Sequence, residues 1–291
     1  MNARVWVPAY TALVGIWGLS FLFNAVALRA FTPVQLTFCR VGLGALTLCL
    51  MLVLTRTRPS LRHRDVGDLV VLALTLNAVP FLLIAFAQQR ITSILAGMLN
   101  ATAPLWALLF VTLLLPAERP GRRQVAGVLL GLLGIAMLLG AWDIAAVDWL
   151  GTAAMLGATA CYGLGSAYSR LRLTSTALSG TSLSAVQLTL AALLLAPLSC
   201  MGTWPDASAV LPWPALAVGM LGVFGAGVAY VLFWRVIRSA GAVVATTVTY
   251  AIPLVSTAAG VLILGEPLHW YEPVGALVVL AGVALTQARR A

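Results

Sequence analysis

The sequence predicts an all-α polytopic membrane protein: ten transmembrane helices arranged as two inverted five-helix repeats. Three observations predict it. The chain is 62% hydrophobic and 9% charged, where soluble domains are about one quarter charged, so it is too apolar for water and suited to a bilayer. One long stretch is written twice: AGMLNATAPLWALLFVTLLLPAERPGRRQVAGVLLGLLG over residues 96–134 returns as ATTVTYAIPLVSTAAGVLILGEPLHWYEPVGALVVLAG over 245–282. The basic residues, all of them arginines, gather in alternate connections, as the positive-inside rule requires.

In the duplicated stretch, Ala96, Pro104 and Leu105 recur as Ala245, Pro253 and Leu254 at an offset of 149. One residue is then lost, and Glu118, Gly127 and Gly134 recur as Glu266, Gly275 and Gly282 at an offset of 148. Each copy is an apolar segment broken by proline, a short glutamate-bearing turn, then an apolar segment punctuated by glycine. In an apolar chain such duplication marks secondary transporters.

The elements follow in order. Segment 6–27 trails Arg4 and contains Ala25-Val26-Ala27, which imitates a signal-peptide cleavage site. It is long enough to cross a bilayer of ~30 Å, and its counterpart near Tyr162 opens the second half, so it reads as a retained first helix. Segments 34–54, 69–88, 93–115 and 125–141 complete the first repeat, residues 1–141. Segments 149–169, 180–200, 214–234, 240–264 and 273–286 form the second, residues 142–291. The connections are short, so consecutive helices are antiparallel neighbours, and nothing is left over for a soluble domain.

Arginine placement orients the chain. With the N-terminus in the cytoplasm, the inner side receives Arg4, Arg56, Arg58, Arg62, Arg64, Arg119, Arg122, Arg123, Arg170, Arg172, Arg235, Arg238, Arg289 and Arg290. The outer side receives Arg29 and Arg90, with Asp143, Asp148, Asp206, Glu266 and Glu272. Both termini are then cytoplasmic. A repeat with an odd number of spans must be inverted in its second copy, which puts Glu118 inside and Glu266 outside. The net charge of +9 is explained by these loops, and no basic patch interleaved with aromatics points to nucleic acid.

Few residues could carry chemistry. The expected spans contain no Asp, Glu, His or Lys, and His63 and His269 fall in connections. That argues against a catalytic centre and against proton coupling through a buried acid, so transport down the substrate gradient is expected. Cys39, Cys49, Cys161 and Cys200 lack metal-ligand spacing; neither metal nor cofactor is expected. Arg40 is the one ionisable residue within a span, about 10 Å along its helix from Pro33. It reads either as a docking point for a substrate carboxylate or gate residue, or as an arginine snorkelling to the outer surface or bonding backbone carbonyls. Asn77, Asn100, Thr246, Thr249 and Tyr250 lie at mid-depth, as do Trp17 and Tyr162. Tyr10, Trp17 and Asn24 recur every seven residues on one helix face. The set reads as the wall of a substrate cavity; for any single member, interhelical packing is the plainer account. Pro104 and Pro253 free the carbonyls of Asn100 and Thr249 and are expected to act as hinges. Gly127 and Gly131 form a GxxxG pair, either a dimer seam or close packing within the protomer. A Val-Gln-Leu-Thr string occurs at Gln35 and again at Gln187.

Taken together, the two tandem five-helix units, Trp17-Gly18 in the first helix, and the Pro104…Glu118 and Pro253…Glu266 pattern resemble the EamA branch of the drug/metabolite transporter superfamily. The resemblance covers nearly the whole chain; Tyr162-Gly163 replaces the tryptophan-glycine pair in the second unit. It implies a basket of paired helices around a central cavity and export of small metabolites or amino acids. The function expected is export of small amphiphilic metabolites by alternating access, amino acids, aromatic ones included, among them. The protein would sit in the inner membrane with lipid and a small-molecule substrate as its partners, and a monomer is compatible with the sequence. The competing readings are a membrane-embedded enzyme on lipid-linked substrates and a non-transporting scaffold. The first lacks catalytic groups; the second leaves the proline-broken repeat unexplained.

Overall fold

The computed structural model describes residues 3–57, 59, 65–114, 121–140, 142, 147–172, 178–205 and 212–287. Glu118, His63, Asp143, Asp206 and several of the arginines used for orientation (Arg58, Arg62, Arg64, Arg119, Arg289 and Arg290) lie outside these residues. The described residues are helical and contain no strand. The helical segments are α1 (Ala3–Ala27), α2 (Pro33–Leu54), α3 (Val66–Ala87), α4 (Ser93–Leu114) and α5 (Arg122–Leu138), followed by α6 (Trp149–Arg172), α7 (Gly180–Cys200), α8 (Pro212–Ala240), α9 (Val244–Leu264) and α10 (Tyr271–Gln287). Seven of them, α1 to α4 and α7 to α9, are long and apolar enough to cross a bilayer. α5 and α10 are apolar but have 17 residues each, and α6 is rich in glycine, serine and threonine and ends on Arg170 and Arg172.

Local chemistry sets the starts. Thr32 caps α2: its hydroxyl accepts from the Gln35 amide while the Gln35 side chain accepts from Thr32 N–H, with Pro33 at the first position, a reciprocal capping box. Thr92 and Ser179 cap α4 and α7 through the amides of Leu95 and Ser182. Several helices begin earlier than hydropathy alone predicts, among them α1 at Ala3, α5 at Arg122 and two that open on an acid. α3 takes in Asp68 and α10 takes in Glu272 in their first turns, where a carboxylate meets the positive end of the helix.

Four departures from regular winding matter to the site. α3 opens into a π-helical turn at Leu74–Ala78, just ahead of Pro80, which has no N–H to give the preceding turn. α8 does the same over Met220–Val228, a glycine-rich stretch. α4 breaks at Ala101–Thr102, whose amides bond only three residues back, to Met98 O and Leu99 O. Pro104 sits just beyond, in the first turn of the continuing helix Ala103–Leu114. The second repeat breaks at Thr247, between Ala242–Thr246 and Val248–Ala259, three residues ahead of the counterpart of Ala101, while Pro253 lies inside the second piece.

The packing follows an exchange rule. α1 lies on α8 and α9, and their counterparts α6 and α3, α4 do likewise; α2 packs on α7, and α5 on α10. Gly18 of α1 is pressed against Val255 of α9, and Gly163 of α6 against Trp106 of α4, where an added methyl would meet the Trp106 carbonyl carbon at 2.6 Å. At the α5–α10 seam, a methyl on Gly127 would lie 2.6 Å from Gly282 O, and one on Gly134 would lie 2.9 Å from Gly275 O. These two contacts make α5 and α10 antiparallel, and they show the GxxxG surface packed within the protomer.

The two ends of the bundle differ. At the end where α4 starts, Ser93–Asn100 is buried along almost its whole length and packs on α9, with Gly97 tight against Ser256. Past its break, α4 turns to α6 and buries only Leu105 and Val111.

Candidate functional site

Arg40 organises the interior. The capping box starts α2, and two turns later Arg40 stands 6% exposed. Snorkelling would leave the guanidinium wet; instead its Cζ lies 3.9 Å from the centroid of the Phe81 ring, a cation–π contact. Its Nε is enclosed without a hydrogen-bond partner. The ion pairs of the described residues join other arginines, Arg90 with Asp148 and Arg172 with Asp68.

Around this cation the π-helical turns supply polar groups. In α8 the Ala229 amide bonds to Phe224 O and Gly227 O. That leaves Gly225 O to accept from the Trp17 indole N–H at 3.2 Å. A methyl placed on Gly225 would lie 3.4 Å from Ser20 Oγ and 3.9 Å from Arg40 Nη2, so there is room beside the guanidinium. In α3 the π turn carries Asn77, whose Oδ1 accepts from Tyr230 OH at 2.9 Å and whose Nδ2 is enclosed and unpaired. Trp17 stands edge-on to Tyr230, centroids 6.4 Å apart, and leans on Phe233 at 5.6 Å. Tyr162 and Tyr230 are both within electrostatic range of Arg40. The result is an enclosed cluster of aromatic rings, one cation and an amide, here called the chamber, drawn from α1, α2, α3, α6 and α8, and thus from both halves.

Of the residues expected from sequence, Trp17, Arg40, Asn77 and Tyr162 come together here. Asn24 and Asn100 are buried too, but no contact among the described residues joins them to this cluster. Tyr250 packs on the same core cluster as Trp17 and Tyr162. Thr246 and Thr249 do not reach the chamber: Thr246 is exposed, and Thr249 Oγ1 returns to Thr246 O at 2.8 Å. They lie at the level of Tyr10, whose hydroxyl is 3.0 Å from Thr247 Oγ1, about 10 Å along α1 from Trp17. The structure adds Ser20, Phe81, Gly225, Tyr230 and Phe233. One signal pointed to them: Phe81 and Tyr230 are separated by the repeat offset of 149, in the matching strings Val-Pro-Phe and Val-Ala-Tyr.

Comparison with known proteins fits this architecture. The model of the EamA-like transporter family matches twice, over residues 6–140 and 149–287. The uncharacterized inner membrane transporter YedA of Escherichia coli (strain K12) is 27% identical over 292 residues, covering 98% of this chain and 92% of that protein. The uncharacterized transporter YcxC of Bacillus subtilis (strain 168) is 26% identical, covering 95% and 91%. The uncharacterized protein PA1977 of Pseudomonas aeruginosa is 30% identical, covering 99% and 96%. A solved crystal structure 22% identical in sequence superposes with a TM-score of 0.66 over 98% of this chain and 99% of that one, a likeness of fold.

Proposed function

The chain belongs to the EamA-like transporter family and is a multi-pass membrane protein; from that premise we propose that it exports small amphiphilic metabolites, amino acids among them, from the cytoplasm by alternating access. In this reading all ten helices cross the inner membrane, as inverted repeats 1–141 and 142–291, with both termini in the cytoplasm. The exchange of contacts between halves and the antiparallel glycine seam support the inversion. In alternating access the tightly packed end where α4 starts would be the outer gate in its shut state. Pro104, with the break beside it, and Pro253 in α9 are the proposed hinge prolines.

The observation that carries the reading is the chamber itself. Arg40 Nε and Asn77 Nδ2 are enclosed in an apolar bundle without partners, which costs free energy that a folded scaffold has no reason to retain and that a bound ligand's acceptors would offset. No described acid or histidine lies beside them to act as a base, so the chamber reads as a binding site for a transporter rather than for an enzyme. The test is flux. The purified protein is reconstituted in liposomes loaded with labelled phenylalanine, tyrosine or an aromatic organic acid, and release is expected to exceed that from protein-free vesicles and to fall with Trp17→Ala. Release at the background rate for every compound refutes the proposal.

A further inference from the structure

The charge balance of the chamber says more about what it takes. Arg40 is a full cation held in the bundle against the Phe81 ring, and a cation in such surroundings is costly unless an anion meets it. No described acid is paired with it. Asp68 lies in the first turn of α3, engaged by Tyr168 OH at 2.6 Å and Arg172 Nε at 3.2 Å. Glu272 lies in the first turn of α10 and accepts from the His269 amide at 2.7 Å. Glu266 is bound to the start of α4. The counter-ion is therefore left to the occupant, and guanidinium is suited to carboxylate.

The same inventory disfavours an ammonium group. In an α-amino acid the ammonium sits within a few ångströms of the carboxylate, so docking the carboxylate on Arg40 would bring two cations together at low dielectric. No described acid is paired there to separate them, and Arg40 already occupies one face of Phe81. Tyr162, Tyr230 and Asn77 offer neutral hydroxyls and an amide, which suit a hydroxyl or carbonyl.

We propose that the Arg40 chamber selects organic monoanions, carboxylates on an aromatic or similarly flat apolar body, over zwitterionic amino acids, and that each turnover carries one net negative charge across the membrane. This rests on the transporter reading above and narrows its substrate class. It also supplies the driving force that the chain otherwise lacks. The membrane potential, negative inside, expels a monoanion, and 100 mV corresponds to about a 50-fold ratio of concentrations at equilibrium. No titrating side chain in a span is needed for that.

The test uses two probes with one skeleton: 3-phenyllactate, a monoanion at pH 7.5, and phenylalanine, its zwitterionic analogue. Vesicles containing the full chain are loaded with either labelled compound. A potassium gradient with valinomycin sets the interior at 0 or −100 mV, and protein-free vesicles give the background. Phenyllactate efflux is expected to be at least tenfold faster than phenylalanine efflux, to accelerate severalfold at −100 mV, and to shift its final distribution towards the 50-fold limit. Arg40→Gln should weaken phenyllactate binding at least tenfold, and Arg40→Lys should recover part of it. Gly225→Ala, whose methyl fits without a clash but occupies the space beside Nη2, should weaken it too in a protein that elutes and melts as wild type. Phenylalanine flux equal to phenyllactate flux, or phenyllactate flux indifferent to potential, overturns the inference and leaves the transporter reading standing. Background flux of both probes overturns the inference, and the transporter reading falls as well if no other compound moves.

Discussion

Glu266 offers a way to open the closed end on purpose. Gly265, in the left-handed region at φ 67°, ends α9 and turns Glu266 towards α4. Glu266 Oε1 accepts from the Ser93 amide at 2.9 Å; Oε2 accepts from Ser93 Oγ at 2.8 Å and the Ile94 amide at 3.0 Å. The Leu95 amide goes to Thr92 Oγ1 at 3.1 Å. One carboxylate from the second half thus satisfies two of the donors that a helix start leaves free, at the positive end of the helix. Glu266→Gln keeps the shape but loses the charge, and its amide N–H₂ confronts an N–H donor. Hydrogen bonds to a charged group contribute about 1.5–3 kcal/mol each. With one acceptor retained, the closed end should lose about 2–3 kcal/mol relative to the open one, a shift of roughly 30- to 150-fold in their ratio. The assay is labelling of Ser256→Cys, which is buried against Gly97, by a membrane-impermeant maleimide after Cys39, Cys49, Cys161 and Cys200 have been replaced by alanine. Labelling should accelerate at least tenfold when Glu266→Gln is added. A rate within twofold of the parent, in protein that reaches the membrane, would refute the idea that this carboxylate holds the end shut.

Other outcomes follow from the same geometry. Gly134→Ala should destabilise the α5–α10 seam by about 1–3 kcal/mol, because the methyl meets Val279 N at 2.6 Å and Gly275 O at 2.9 Å; thermal unfolding in detergent should show a lower midpoint, and an unchanged midpoint contradicts the packing. Tyr230→Phe strands Asn77 Oδ1 at a cost of about 1–3 kcal/mol, read as weaker substrate binding with the fold retained; wild-type affinity removes Asn77 and Tyr230 from the site. Reporter fusions after Arg64, Arg123, Arg172 and the C-terminus should read cytoplasmic, and those near Asp148 and Asp206 external; an external C-terminus ends the inverted-repeat reading.

Much of the fold was legible because bilayer and backbone impose simple demands. Apolar runs marked most of the helices, and Thr32, Thr92 and Ser179 mark starts that any capping rule finds. What hydropathy misplaced were ends rich in charge. Asp68 and Glu272 look like connection residues, yet acids are welcome in a first turn, and Arg235 and Arg238 in the last turns of α8 are welcome for the complementary reason. In the site, Trp17, Arg40, Asn77 and Tyr162 stood out as polar or amphipathic groups in apolar surroundings. Phe81 and Phe233 did not, since an aromatic in an apolar run looks the same whether it lines a chamber or fills a core. The π-helical turns were invisible: they depend on where a carbonyl such as Gly225 O finds its donor, and that donor is Trp17, 208 residues away. The break in α9 also escaped, because a proline names a residue that cannot bond backward without saying which neighbouring turn will yield.

The duplicated sequence bears on whether Arg40 serves the fold or the ligand. The Val-Gln-Leu-Thr string at 34–37 recurs at 186–189, which aligns α2 with α7 independently of structure. The two helices pack on each other: Gln35 Nε2 reaches Thr203 O at 3.0 Å near one end, and Cys49 Sγ approaches Thr189 Oγ1 at 3.9 Å further along. In that register Arg40 corresponds to Ala192. The second half therefore builds the same helix, against the same partner, with a methyl where the first half carries a cation. If packing of this element required a guanidinium, α7 would need one too, and it does without. An enclosed charge that the fold can omit, in one copy only, is a burden on stability that packing does not explain. What distinguishes the halves is the chamber, where Arg40 lies over Phe81 and near its repeat counterpart Tyr230. A symmetric frame can present its two gates alike, but a single anion needs a single cation, and Arg40 is placed where the two copies differ.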